Sequence, residues 1–225
     1  MNLTEFIYSY PNMICSDYGE SEFAAIRVLC PGLSSPKLGK LLNFACRFME
    51  KEESYVEIGS FTGYTLISAS HHNSNKRFIG IDNMRLLGDK STPEQKEWVR
   101  NRLRINLEHF KSGNHFIIED DYRNVKLPEQ TKIGVFLIDG HHTREEAYDN
   151  FRWVKPYLSD SALIGIDDIS ISGVGEGVKN WVRDHPEEYE EFFRMNVYHP
   201  PDNIDHWSPA FWNGLSLVSF RRKNA

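Results

Sequence analysis

The spacing of apolar residues changes period repeatedly along this chain. In residues 37–50, KLGKLLNFACRFME, Leu38, Leu41, Leu42, Ala45 and Phe48 recur at helical spacing. Lys51 to Ser54 end that helix. YVEIG (55–59) is a short β-branched and aromatic run that predicts a strand. Strand and helix patterns then alternate. A helix is expected over 63–71, a strand at RFIGID (77–82), a polar loop over 84–93, and a helix over 93–110 that opens on Pro93. HFIIED (115–120) predicts a third strand. IGVFLIDG (133–140) predicts a fourth, apolar along its whole length, as a strand covered on both faces should be. A helix over 143–158, a strand at ALIGIDD (162–168), a helix within GEGVKNWVRDHPEEY and a closing strand over 214–222 with period-2 alternation complete the series. Residues 1–35 are aromatic-rich and interrupted by Pro11, Pro31 and Pro36. They predict an N-terminal extension carrying one helix near 20–28, ahead of a domain spanning 36–225.

Strands separated by helices imply an α/β fold with a doubly wound, mostly parallel sheet. Ligands bind such sheets beyond the carboxyl ends of the strands, near the switch point of the strand order. The predicted strand ends are acidic throughout: Glu57, then Asp82-Asn83, then Glu119-Asp120-Asp121, then Asp139-Gly140-His141-His142, then Asp167-Asp168. Turns favour Asp for local reasons, but acids at every strand end point to one shared site.

Composition narrows the function classes. The 225 residues suffice for one α/β domain with a full core, and 26% charged residues are ordinary for a globular protein. A formal net charge of −6 without a basic run speaks against nucleic acid and anionic membrane as partners. No apolar run approaches the roughly 20 residues a membrane span needs, and the N-terminus has no signal-peptide pattern. Cys15, Cys30 and Cys46 are widely spaced and odd in number. They read as reduced thiols in a cytoplasmic protein, with a Cys15–Cys30 bridge as the weaker alternative.

The first strand runs into VEIGSFTGYT (56–65). A loop that cradles pyrophosphate would show G-x-G-x-x-G. This one shows E-x-G-x-x-x-G, and its acid would repel phosphates. It fits a nucleoside without phosphates, carrying a cationic group. Asp82, 25 residues after Glu57, is placed to accept from ribose hydroxyls. A tight turn with no ligand is the bland alternative.

This stretch resembles the first motif of class I S-adenosylmethionine-dependent methyltransferases, in particular the metal-dependent O-methyltransferases of the catechol type. The resemblance implies the Rossmann-like, seven-stranded methyltransferase fold with helices on both faces. It implies a cofactor set of Glu57, Gly59, Ser60, Gly63, Tyr64, Thr65, Asp82, Asn83, Met84, Asp120, Asp121 and Asp139. Within that set, Glu57, Gly59 and Ser60 face the methionine end, Asp82 the ribose, and Asn83 and Met84 the adenine. IIEDDYRNV, with Asp120 and Asp121, closes over the adenine.

Asp139 and the Asp167-Asp168 pair are 28 and 29 residues apart, and the intervening helix can bring the two strand ends side by side. Three converging carboxylates repel unless a cation is present, and hard oxygen ligands suit Mg²⁺. Helix-cap and turn roles would explain any one of these acids alone. The segment 139–169 resembles the macrolide-sugar O-methyltransferase and cephalosporin-hydroxylase-like branch. There, three such carboxylates hold Mg²⁺ and the His three positions after the first Asp is the base. That implies Asp139, Asp167 and Asp168 as metal ligands and His142 as the base. The catechol-type enzymes use a Lys in this neighbourhood, and here no Lys follows Asp139 before Lys155.

The expected activity is O-methylation of a small molecule, a sugar, polyol or phenolic hydroxyl, with S-adenosylmethionine and Mg²⁺ or another divalent cation. A binding protein of the same fold with another reaction, or an NAD-type oxidoreductase, are the alternatives, the second weakened by the missing G-x-G-x-x-G. The aromatic loop 198–213 shapes the acceptor pocket or packs on the sheet edge. The extension 1–35 could act as a lid or swap onto a partner, and a homodimer stays open.

Overall fold

The structure is a computed structural model, and it describes residues 1–17, 19–85, 91–111, 113–197 and 211–223. Two helices, α1 (Leu3–Cys15) and α2 (Glu20–Leu29), precede α3 (Pro36–Arg47). The alternating part runs β1 (Glu53–Ile58), α4 (Tyr64–Ser70), β2 (Arg77–Asp82), α5 (Pro93–Phe110), β3 (Asn114–Glu119) and β4 (Lys132–Ile138). It continues with α6 (Arg144–Val154), β5 (Leu158–Asp167), α7 (Ser172–Asp184), β6 (Tyr189–Met195) and β7 (Leu215–Arg221). The seven strands form one sheet in the order β3-β2-β1-β4-β5-β7-β6. All neighbours are parallel except β7, which runs antiparallel to both β5 and β6. This is the expected α/β class.

Local chemistry starts the helices. The Ser35 side chain accepts from the Leu38 amide with Pro36 in the first turn of α3, and Thr92 and Gln95 form a reciprocal capping box on α5. Alternate side chains of each strand then go to opposite faces. Val56, Ile79, Phe136, Ile164 and Val218 pack under α6 and α7, beside Phe151, Val178 and Trp181. Tyr55, Phe78, Leu137, Leu163 and Leu217 pack under α1, α3 and α4, beside Phe6, Leu41 and Leu66. Helices therefore cover both faces.

Three details differ from the sequence reading. The first 35 residues hold two helices, not one, and α1 passes through Pro11. An interior proline costs about 3 kcal/mol. Leu3, Phe6 and Met13 are buried against the α3 side of the sheet, and at ~1.5–3 kcal/mol each they outweigh it. The segment 189–195, to which the sequence reading gave no element, is a strand: α7 stops at Asp184, and YEEFFRM pairs along β7 at the sheet edge. The closing strand alternates in sequence, yet Leu215 to Phe220 are all buried, because β7 lies between β5 and β6. Its serines fit there by size and pairing, with Ser216 Oγ donating to Glu191 Oε1 at 2.5 Å. Cys15, Cys30 and Cys46 are all free thiols. Among the described residues no helix is long and apolar enough to cross a membrane.

Candidate active site

The strand order turns back between β1 and β4, and a cavity of about 430 Å³ opens at their carboxyl ends. The chain after β1 makes the first wall. The Gly59 amide donates to Ile81 O at 2.9 Å, and the Asp139 amide donates to Ile58 O at 3.0 Å. The first bond ties the glycine turn to β2 and the second ties the end of β1 to the end of β4. Gly59 has φ +94°, and a Cβ there would stand 1.9 Å from the Asp139 carbonyl oxygen. A side chain is excluded on both counts. Phe61 also has a positive φ, 46°, and the turn hands over to α4 at Gly63.

Asp82 fixes the second wall. Its Oδ2 accepts from the Phe61 amide at 2.7 Å and its Oδ1 from the Met84 amide at 2.6 Å. One carboxylate thus ties the β1 turn to the β2 turn. Burial pushes its pKa up, and the amide bonds act in the opposite direction.

Of the sequence-derived set, Gly59, Ser60, Tyr64, Thr65, Asp82, Asn83, Asp120, Asp121, Asp139, His142 and Asp168 line this one cavity. Glu57, Gly63, Met84 and Asp167 do not. The Glu57 carboxyl is fully buried below the turn, where Oε2 accepts from the Tyr55 hydroxyl at 2.7 Å and the Ser60 and Thr65 side chains stand beside it. Burial pushes its pKa up to about 7. Gly63 faces Leu103, and Met84, at φ 58°, is turned into the cluster of Val99 and Leu103 under α5. At the third strand end, Asp120 Oδ1 accepts from the Asp121 amide and from Asn124 Nδ2, at 2.7 and 2.9 Å. Asp121 forms a two-pronged pair with Arg123.

The far end of the cavity carries the second constellation. Asp139 is half-buried, and its pKa is driven well up by loss of water around its carboxyl and by the charges of Asp167, Asp168, Glu57 and Asp82. Asp167 is raised to about 8 by burial and by Asp168 beside it. Asp168 goes the other way. Its Oδ2 stands 2.6 Å from His142 Nε2 and its Oδ1 accepts from Asn213 Nδ2 at 2.5 Å. These partners hold it below the usual carboxylate range, and it holds His142 above the usual imidazole value. Asp168 reaches this position with φ 56°, one residue past the end of β5. His141 also lines the cavity, with Nδ1 3.8 Å from Glu146 Oε2.

The proposed metal set is chemically apt but not drawn together. Asp139 and Asp167 are hard oxygen donors with charge that a cation would relieve. However, Asp168 is committed to His142 and Asn213, and among the described residues the three acids do not bring one oxygen each within 4.8 Å of one another.

The sequence reading missed other lining residues. Gly32, Leu33 and Ser34, which follow α2, close one side of the cavity, and Arg85 and Arg123 stand on its rim. Asn213 comes from the turn before β7. The residue before it, Trp212, has its ring centre 4.3 Å from the Arg27 guanidinium of α2. Periodicity carries no trace of such long-range approaches. Most of the aromatic loop, with His199, His206 and Trp207, lies outside the described residues.

A sequence family described as a methyltransferase domain matches residues 56–169, just over half of the chain. The chain belongs to that family. The matched stretch runs from the end of β1 to just past β5, so it contains both walls of the cavity and the Asp139–Asp168 cluster. The methyltransferase fold has close counterparts among solved structures. One is the O-methyltransferase TomG of Streptomyces achromogenes, involved in tomaymycin synthesis and solved with S-adenosylmethionine. It is 14% identical, covers 97% of this chain and 96% of that one, and has a TM-score of 0.61. Another is an O-methyltransferase of Bacillus cereus solved with S-adenosylhomocysteine, at 13% identity, 97% coverage of each chain and a TM-score of 0.57. These likenesses are of fold. An uncharacterised protein of Acanthamoeba polyphaga mimivirus is 27% identical over 132 residues, and the match spans 57% of each chain.

Proposed function

We propose that this methyltransferase uses S-adenosylmethionine to methylate a hydroxyl of a small molecule, a sugar, polyol or phenolic compound. The observation that carries the reading is that the glycine turn and the His142–Asp168 pair open into the same cavity. The cofactor half of that cavity suits a cationic nucleoside. Asp82 offers acceptors for the ribose hydroxyls, and the carboxyls of Asp139 and Asp167, held protonated by loss of water and mutual repulsion, would ionise beside a sulfonium and an ammonium. The solved relatives named above carry S-adenosylmethionine or its product at this fold.

The acceptor half supplies the proton chemistry. With Nε2–H donated to Asp168, neutral His142 presents Nδ1 as the acceptor. S-adenosylmethionine would supply the methyl group, and as the substrate hydroxyl took it with loss of the C–S bond, Nδ1 of His142 would take the hydroxyl proton. Asp168 then stabilises the imidazolium. The sulfonium is already an activated donor, so the remaining task is in-line positioning. Asp139 and Asp167 would be the oxygen donors to a divalent cation such as Mg²⁺, with Asp168 joining them only by giving up His142 or Asn213, and such a cation would lower the pKa of a hydroxyl bound to it.

Calorimetry with S-adenosylhomocysteine and, separately, with NAD tests the cofactor. Binding of the first and not the second is expected, and no binding of S-adenosylhomocysteine would sink the proposal. Chelation by EDTA tests the metal: turnover should fall while cofactor binding survives. Full turnover in EDTA would leave His142 and Asp168 as the whole of the proton machinery.

A further inference from the structure

At the end of α4 remote from the glycine turn, three side chains converge that the proposed reaction does not use. His71 Nε2 lies 2.8 Å and His72 Nε2 3.1 Å from the same oxygen, Glu22 Oε1. One ligand atom from each residue lies within 4.8 Å of the other two. The two imidazoles are adjacent in sequence, yet they face the same way, with ring centres 4.0 Å apart. Neighbouring residues normally diverge. Here His72 adopts φ 58°, in the left-handed region that non-glycine residues rarely enter, and this folds its ring back beside that of His71. The turn is held firmly. Asn43 Nδ2 donates to the His71 carbonyl at 2.5 Å, Asn73 Nδ2 donates to Asn43 O and Ala69 O, and Phe23 packs edge-on against His71.

We propose that Glu22, His71 and His72 form a zinc-binding site. Two imidazole nitrogens and a carboxylate oxygen are an ordinary three-ligand set for Zn²⁺, with water in the fourth position. A tetrahedral ion with bonds of about 2.0–2.1 Å spaces its ligands about 3.3 Å apart. The His-to-Glu separations here are already 2.8 and 3.1 Å, so small side-chain rotations admit the ion. Glu22 belongs to α2 and the histidines to the end of α4. The ion would therefore fasten α2, whose following residues Gly32 to Ser34 line the cavity, to the helix that leaves the glycine turn.

The test uses tag-free, chelator-stripped protein titrated with CoCl₂. Four-coordinate cobalt with nitrogen ligands absorbs strongly in the visible, whereas a six-coordinate oxygen site is nearly colourless. The expected result is a strong band that saturates at one equivalent and is displaced by one equivalent of ZnCl₂. His71→Ala, His72→Ala and Glu22→Gln should each weaken zinc binding at least about tenfold, with far-UV circular dichroism unchanged. Asp168→Asn should keep the band. A band that survives in the His71→Ala/His72→Ala double variant, that disappears in Asp168→Asn, or that never forms in the wild-type protein overturns the proposal.

Discussion

Replacing Gly59 by alanine tests how the cavity is built. Two penalties act on the new methyl. The first is conformational: φ +94° is open to glycine and costs an L-residue about 1–2 kcal/mol. The second is steric. The added carbon would stand 1.9 Å from the Asp139 carbonyl oxygen, where van der Waals contact needs more than about 3 Å. The turn, or the end of β4, must therefore move by about an ångström, a forced displacement of the overpacking kind that costs about 1–3 kcal/mol. The total of about 2–5 kcal/mol is a large part of the 5–15 kcal/mol typical of a domain. The same shift separates the turn from Asp139 and His142, and an ångström of misplacement at a site is worth about 10²-fold in rate. Gly19→Ala is the control. Gly19 has φ +77° and nothing within 4 Å of a Cβ, so it carries the first penalty alone. Urea unfolding and calorimetric titration with S-adenosylhomocysteine read both quantities. Gly59→Ala should lose at least about 1 kcal/mol more than Gly19→Ala and bind the ligand at least about tenfold more weakly. Equal losses in the two variants, with unchanged affinity, would refute the contact argument.

The other predictions follow from single groups. His142→Ala should lower methyl transfer about 10²- to 10⁴-fold while S-adenosylhomocysteine still binds; a near-wild-type rate would place the base elsewhere. Asp82→Asn keeps the shape of the side chain but removes its charge and one of its two amide acceptors. S-adenosylhomocysteine affinity should drop by tenfold or more in calorimetry, and an unchanged affinity would separate Asp82 from the ribose. Glu57 gives a pH signature. Its folded-state pKa, about 7, lies above the ordinary 4.5, so the folded chain holds the proton longer and its stability falls as pH rises from about 4.5 to about 7. The 2.5-unit difference corresponds to about 3 kcal/mol. Glu57→Gln should remove that loss, so urea midpoints at pH 5 and pH 8 should differ less in the variant than in the wild-type ligand-free protein. Parallel pH profiles would show that Glu57 does not titrate this way.

The alternation of strands and helices was legible in the sequence because burial on both faces of a sheet leaves continuous apolar runs such as IGVFLID. The start of α5 was legible because Pro93 acts on its own turn. Residues 189–195 were not legible, because an edge strand needs only a partner, and its paired residues in β7 lie 20 to 31 positions away. Pro11 misled for a related reason: a local penalty was weighed without the core that offsets it.

The same division runs through the site. By itself the sequence determined the class of fold, the glycine turn and the acids at the ends of the strands, since each depends on periodicity or on neighbours within a few positions. Only the tertiary structure decided which of those acids reach the cavity. It sank Glu57 beneath the turn, turned Met84 into the core, and left Asp167 outside the lining. It paired Asp168 with His142 across 26 residues and with Asn213 across 45. Burial and charge separation depend on distance in space, and spacing along the chain does not contain that quantity.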